Sequence, residues 1–261
     1  MMPIARSARA SVFVAALAAL VVVAGVAPRA TVGGPSGDWQ PLFNGRDFNG
    51  WIVPAGRGAA PGAPPQNPAD VGWRIKDGVI VGGQPAPGQR GGSLVSQARF
   101  KDVELELDFV LAEHGTRCSA EVVSNASEDK TCTYNSGVYL RTGYQVNIGR
   151  REAGEFIGVV VHRVTPKAIR GNVLWLDTGD EKFPGLRKKE DWNHLQIAFK
   201  GPRLQVWLNG KKICEVTDNP TDPAEATWKE AGPISFQWPP AGESGGFNGF
   251  VKFRNVRARE I

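Results

Sequence analysis

Between Val103 and Leu111 the chain reads VELELDFVL. Val103, Leu105, Leu107, Phe109 and Leu111 alternate with Glu104, Glu106 and Asp108. A period of two sorts side chains to the opposite faces of a strand, which a helix cannot do. This segment therefore predicts a strand with one apolar face and one acidic face. The same period returns in WNHLQIAFKGPRLQVWLNGKKICEVTD from Trp192, a meander of three strands with turns at Lys200-Gly201-Pro202 and Asn209-Gly210. WRIKDGVIVGG from Trp73 predicts a hairpin about Asp77-Gly78, a pair suited to a type I′ turn.

Further strands are predicted in SGVYLRTGYQVNIGR (Ser136 to Arg150, turning at Thr142-Gly143), FIGVVVHRV, NVLWL, GPISFQW and FVKFRNVRAREI. The segment 54–70, PAGRGAAPGAPPQNPAD, holds five prolines and reads as a loop. No segment sustains a helical period over three turns. Short strands with frequent turn signals indicate a sandwich or a barrel. The long meander, the chain length and the return of the last strand favour an all-β jelly-roll β-sandwich of two antiparallel sheets.

Arg6 and Arg9 precede the apolar run Ser11 to Ala27, the pattern of a secretory signal peptide over residues 1–30. At about 17 residues the run reaches only the lower limit for spanning a bilayer, and an uncleaved anchor is the alternative. Residues 31–38 read as a linker and 39–261 as one domain. The product is expected in the periplasm or secreted, with no membrane association after cleavage. The net charge of +5 falls to +2 once Arg6, Arg9 and Arg29 leave, a balance that gives no reason to expect nucleic acid. Export permits disulfides. Cys118 and Cys132 flank one loop and are paired on that ground, while Cys214 lies in an alternating strand as a buried thiol. Cysteines and histidines at these spacings make no transition-metal site, so no metal or cofactor is expected. The carbonyl ligands of a structural calcium would leave no sequence trace.

The blocks WQPLFNGRDFNGW, WRIKDGVIVGG, FKDVELELDF, NSGVYLR, GYQVNI, DWNHLQIAFKGPRLQVWLNGKKI and GFVKFRNVRAREI occur in this order from Trp39 to Ile261. The series resembles the 3-keto-disaccharide hydrolase domain family. The opening LFNG-(R/K)-D and closing FRN-(V/I) blocks are specific together and not singly. The resemblance implies a concanavalin A-like jelly roll and exported enzymes acting on glycosides oxidised at C3. A carbohydrate or 3-keto-glycoside is thus the expected partner. In such a sugar the C3 carbonyl acidifies the proton at C2, so a base can form an enolate and the C1 substituent can be expelled. This chemistry needs a base, donors for the enolate oxygen and an acid for the leaving oxygen.

Glu104, Glu106 and Asp108 point to one side of their strand. That side is either the floor of a sugar cleft or a solvated outer face. Asp108 matches an acidic position of the family block; Asp108 and Glu106 are the candidate catalytic residues, with Asp108 as the candidate base. A two-carboxyl glucanase built on the same row is a further reading. The resemblance also brings forward Arg141, Gln145, Asn147, His162, Gln237 and Trp238 as substrate-binding residues. Gln145 stands where the family usually has glutamate, Asn147 where it has glutamine, and Trp238 near its usual histidine. Glutamine cannot act as acid or base, so a carbohydrate-binding module without catalysis is the alternative function. An aromatic ring such as Trp238 can stack on a sugar or pack at an edge. The other tryptophans, Trp39 and Trp51 among them, read chiefly as packing. His194 is expected on the face away from the core. The catalytic reading requires Asp108, Arg141, Gln145 and Trp238 to converge on one pocket.

Overall fold

The structure, a computed structural model, describes residues 37–56, 59–83, 91–111, 135–141, 143–150, 157–162, 172–175, 185–188, 191–220, 224, 226–238 and 250–261. The expected signal peptide and the expected Cys118–Cys132 pairing fall on residues outside them. Fifteen strands follow in chain order among these residues: β1 (Gln40–Pro41), β2 (Trp51–Ile52), β3 (Arg74–Lys76), β4 (Val79–Gly83), β5 (Leu94–Phe100), β6 (Val103–Leu111), β7 (Asn135–Leu140), β8 (Tyr144–Arg150), β9 (Val160–His162), β10 (Asn172–Trp175), β11 (Asn193–Lys200), β12 (Arg203–Leu208), β13 (Lys211–Thr217), β14 (Gly232–Phe236) and β15 (Phe250–Glu260).

They form two antiparallel sheets packed face to face, the jelly-roll sandwich expected from the alternation. Sheet A has the order β13-β12-β11-β6-β15-β4-β3, with β1 on β15, and sheet B has the order β10-β9-β8-β7-β14-β5-β2. The predicted turns carry the required backbone. Asp77 and Gly78 have φ of 52° and 76°, and Asn209 and Gly210 have 48° and 81°. Both central residues of a type I′ turn need positive φ, which Asn, Asp and Gly tolerate best. The predicted loop 54–70 is more ordered than its prolines suggest. Val53 bridges Gln66, and a 3-10 turn at Pro68–Val71 is capped by Asn67. The strand expected from Phe156 begins only at Val160, because Ile157 and Gly158 form a turn.

The core lies between the sheets. Val103, Leu105, Leu107 and Phe109 of β6 and Tyr144, Val146 and Ile148 of β8 are buried there. Phe253 of sheet A stacks on Phe236 of sheet B with ring centres 4.1 Å apart, and Trp51 stacks on Phe236 at 5.2 Å. The Trp51 indole N–H donates to the Leu42 carbonyl at 2.7 Å. The N-terminal turn is thereby tied to the end of the sandwich, with Leu42 and Phe43 packed against the core. Trp73 is fully buried over Gly82, where a Cβ would come within 2.3 Å of its ring.

β15 is the longest of the described strands, and one of its edges pairs with β6. Between Arg254 opposite Asp108 and Arg257 opposite Glu106, two residues, Asn255 and Val256, face the single Leu107. This is a β-bulge, and Asn255 takes the left-handed backbone it requires, with φ of 53°. Phe253 joins the stack that bridges the sheets. Phe253→Ala is therefore expected to cost about 3–5 kcal/mol, the usual range for emptying a fully buried aromatic site, read from urea unfolding midpoints.

Candidate functional site

The outer face of sheet A carries the acidic row, and each acid meets an arginine across the β6–β15 pair. Glu104 is bound by Arg259, whose Nε donates at 2.6 Å. Glu106 is bound by Arg257, with Nε at 2.8 Å. Asp108 accepts from Asn255 at 2.7 Å and Arg254 at 3.3 Å, and lies 3.0 Å from His194 Nδ1. Burial pushes the Asp108 carboxyl upward. Hydrogen bonds from His194, Asn255 and Arg254 outweigh it, so the group titrates below its ordinary value of 3.8. A carboxylate held ionised in this way is a weaker base. The row therefore forms a charge-compensated ladder rather than two free carboxyls straddling a bond. His194 faces away from the core, as expected, and is 45% exposed beside Asp108.

The outer face of sheet B is different. Register places Ile52, Val95, Ser235, Tyr139, Gln145 and Val161 in one row across six strands. Their strand neighbours Leu94, Phe236, Val138, Leu140, Tyr144, Val146 and Val160 face the core, so the row faces outward. Yet Gln145 is 5% and Asn147 7% exposed. The Gln145 amide donates to Gln237 Oε1 at 2.8 Å. Gln237 is itself fixed: its backbone N–H donates to the Gly137 carbonyl, and Ser136 Oγ donates to the Gln237 carbonyl, both at 2.9 Å. Gly137 makes room, since a Cβ there would meet Gln145 Nε2 at 2.5 Å. Among the described residues no bond takes up Gln145 Oε1 or Gln237 Nε2, so the pair presents an acceptor at one end and donors at the other.

The remaining candidates point inward. Arg141, in left-handed backbone with φ of 52°, crosses from the end of β7 to sheet A. It donates to the carbonyls of Gly201 at 3.0 Å, Phe199 at 2.8 Å and Trp228, and to Asp102 at 2.9 Å. Its guanidinium stacks 3.8 Å above the Phe199 ring. It is a clamp between the sheets, 3% exposed. His162 stacks on Tyr144 with ring centres 4.0 Å apart, meets Thr227 Oγ1 at 2.9 Å and lies 3.7 Å from Asp218. Tyr144 donates to Asp218 at 2.5 Å. Burial, and then Asp218, hold its phenol well above the ordinary value. Trp238 packs edge-on against Trp73 at 5.2 Å and sits over Gly91, where a Cβ would come within 2.2 Å of its indole N–H.

The expected convergence does not occur. Asp108 and Glu106 lie on one outer face, Gln145, Asn147 and Gln237 on the opposite one, and Arg141, His162 and Trp238 inside. The physical reason is that β6 and β8 belong to different sheets, so their non-core sides point in opposite directions. Two residues missed by the sequence reading are Tyr139, directly opposite Gln145, and Asp218. Alternation within NSGVYL carried the signal for Tyr139, since Val138 and Leu140 frame it. Removing one member of a buried charged network strands the others. Arg141→Ala is therefore expected to destabilise by about 3–5 kcal/mol, seen as a lower thermal midpoint. The advantage of Asp108 over Asn in an Asp108→Asn comparison is expected to be full above pH 3.8. It should vanish as pH falls through the lower folded-state value, measured by urea unfolding across acid pH.

Several solved structures share the architecture. A native glycosidic hydrolase superposes with a TM-score of 0.50 at 12% identity, over 88% of this chain and 97% of that one. A carbohydrate-binding module from Bacillus subtilis gives 0.48 at 14%, over 80% and 95%. A prokaryotic β-1,3-1,4-glucanase (lichenase) from a mouse hindgut metagenome gives 0.47 at 12%, over 85% and 98%. No curated protein matches the sequence. The model of one family matches residues 38–259, nearly the whole of the described sandwich. The chain belongs to the 3-keto-α-glucoside-1,2-lyase-like domain family.

Proposed function

We propose that this protein is an exported enzyme that cleaves 3-keto-glycosides and holds the oxidised sugar on the outer face of sheet B. The observation that carries this reading is the shielding of an uncharged polar side chain, Gln145, on a face that serves no core, with its Oε1 unbonded among the described residues. Polar groups withdrawn from water need partners, and amides offer the paired donors and acceptors that vicinal hydroxyls match. Membership of a 3-keto-α-glucoside-1,2-lyase-like domain family supports this reaction class.

In this reading a base takes the proton at C2, and its electrons form the C2–C3 enolate with charge on the C3 oxygen. The Gln237 amide, whose Nε2 makes no bond among the described residues, supplies N–H donors to that oxygen. The enolate collapses to a C1–C2 double bond as the C1–O bond breaks, and the aglycone oxygen takes a proton. Water then adds to C1. Tyr139 is the phenol among the described residues of this face, directly opposite Gln145, and is assigned as the acid for the leaving oxygen. No amide can take the C2 proton, so the base is a residue other than Gln145, Asn147 or Gln237.

That same amide character favours a second reading, a saccharide-binding module without turnover. Incubation with several 3-keto-glycosides separates the two. The enzyme reading expects aglycone release, with kcat/KM reduced about 10²-fold or more in Tyr139→Phe and about tenfold in Gln145→Ala. Saturable binding with no release, beside an active relative as control, gives the module reading. A loss confined to Asp108→Asn, with Gln145→Ala intact, moves the chemistry to the face of sheet A.

A further inference from the structure

On the side of the molecule away from Gln145, a groove of about 560 Å³ crosses the outer face of sheet A. Phe43 and Asn44 of the N-terminal turn line it on one side, and Glu106, Asp108, His194 and Asn255 on the other. Its volume falls within the range of about 300–1,000 Å³ typical of small-molecule sites.

The groove is built rather than incidental. The Leu42 backbone N–H donates to the Val256 carbonyl at 2.9 Å, docking the N-terminal turn against the bulge. The bulge holds Asn255 in left-handed backbone with its amide on Asp108 at 2.7 Å. Non-glycine residues held in that region cluster at binding sites. Asp108 in turn meets His194 Nδ1 at 3.0 Å. Since no other side-chain bond is made by the half-exposed imidazole among the described residues, Nε2 is left to a ligand.

Charge decides what kind of ligand fits. Glu106 is paired with Arg257, and Asp108 with Arg254. Each carboxylate in the groove thus has its own guanidinium, and the lining favours neither an anion nor a cation. What remains is a set of fixed planar polar groups, namely the Glu106 carboxylate, the Asn255 amide and the His194 ring, facing an aromatic wall at Phe43. Planar donors and acceptors match paired hydroxyls, and an aromatic face matches the apolar side of a sugar ring.

We propose that this groove is a second binding site, for an uncharged saccharide, separate from the face that carries Gln145. Two sites on opposite faces would let one chain hold a glycan while a second sugar occupies sheet B.

Calorimetric titration with neutral tetrasaccharides (maltotetraose, cellotetraose and mannotetraose) tests the site, with tetragalacturonate as the charged counterpart. At least one neutral sugar is expected to bind, and to bind more tightly than the uronate. His194→Ala should weaken that binding about tenfold, the loss of one or two hydrogen bonds in a ligand site. Asn255→Gly keeps the left-handed backbone, removes the amide and should weaken it similarly. Gln145→Ala removes a contact on the other face, and the groove component of the binding should persist in it. His194 is half exposed, so its variant is expected to fold, and Asn255→Gly provides an independent check. Binding of no neutral sugar, binding unaltered in both groove variants, tighter binding of the uronate, or loss in Gln145→Ala alone would each overturn the proposal. None of these sugars is oxidised at C3, so failure here is distinct from failure of the enzymatic reading.

Discussion

The pairing of β15 with β6 is the contact on which the rest of the sandwich rests. β6 is followed in sequence by β7 of the other sheet, so the middle of sheet A is closed only when the end of the chain returns to it. Phe250 to Phe253 pair with Gly83 to Ile80 along one edge of β15, and Val251 to Glu260 pair with Leu111 to Val103 along the other. The strand therefore joins β4 and β3 to the β11–β13 meander. Phe253, inside that pairing, reaches Phe236 of sheet B. A single strand thus completes one sheet and docks it on the second. The bond is non-local, since more than 140 residues separate Asp108 from Arg254. Such contacts must overcome loop-closure entropy before they stabilise anything.

The same pairing explains the acidic face. A carboxylate on a half-buried strand is tolerated best beside an opposite charge, and β15 supplies Arg254, Arg257 and Arg259 at the matching positions. Exposed pairs of this kind contribute about 0–1 kcal/mol each, so their main effect is to fix register. A slip by one residue would set arginines against leucines. The bulge at Asn255 and Val256 keeps Arg254 opposite Asp108 and Arg257 opposite Glu106 despite the extra residue. Among the described residues sheet B shows no such ladder. A buried cation, Arg141, helps tie it to sheet A, its guanidinium capping the carbonyls of Phe199, Gly201 and Trp228.

Much of this was legible in the sequence, for reasons that also mark the limit. Period two shows which side chains of VELELDFVL share a face, because that is set within one strand. The I′ turns at Asp77-Gly78 and Asn209-Gly210 were readable because only a few residue types accept that backbone. Whether Glu106 and Gln145 share a face was not readable, because that depends on which sheet each strand joins. Nor was the inward turn of Arg141. In the sequence it follows the alternation of VYL as though it were a surface residue, and only the left-handed backbone at its position turns the side chain into the sandwich. Trp238 was legible as an aromatic beside Gln237. Its burial depends on Gly91, nearly 150 residues earlier, leaving space for an indole.

Two of the departures from the family pattern, Trp238 and Gln145, fall into different physical classes. Trp238 belongs to packing: it fills the space over Gly91 and meets Trp73. Replacing it by a smaller polar ring would open a void and place a polar group against that indole. Gln145 belongs to the hydrogen-bond network of the outward face. Its NH₂ group donates to Gln237 Oε1. A glutamate at position 145 would have to accept, and Gln237 would have to turn its amide to donate. The donors now free on Gln237 would then be spent inside the protein, and the face would offer a carboxylate instead of an amide. The exchange at one position therefore resets two side chains, trading a group that can carry a proton for one that fixes a hydroxyl.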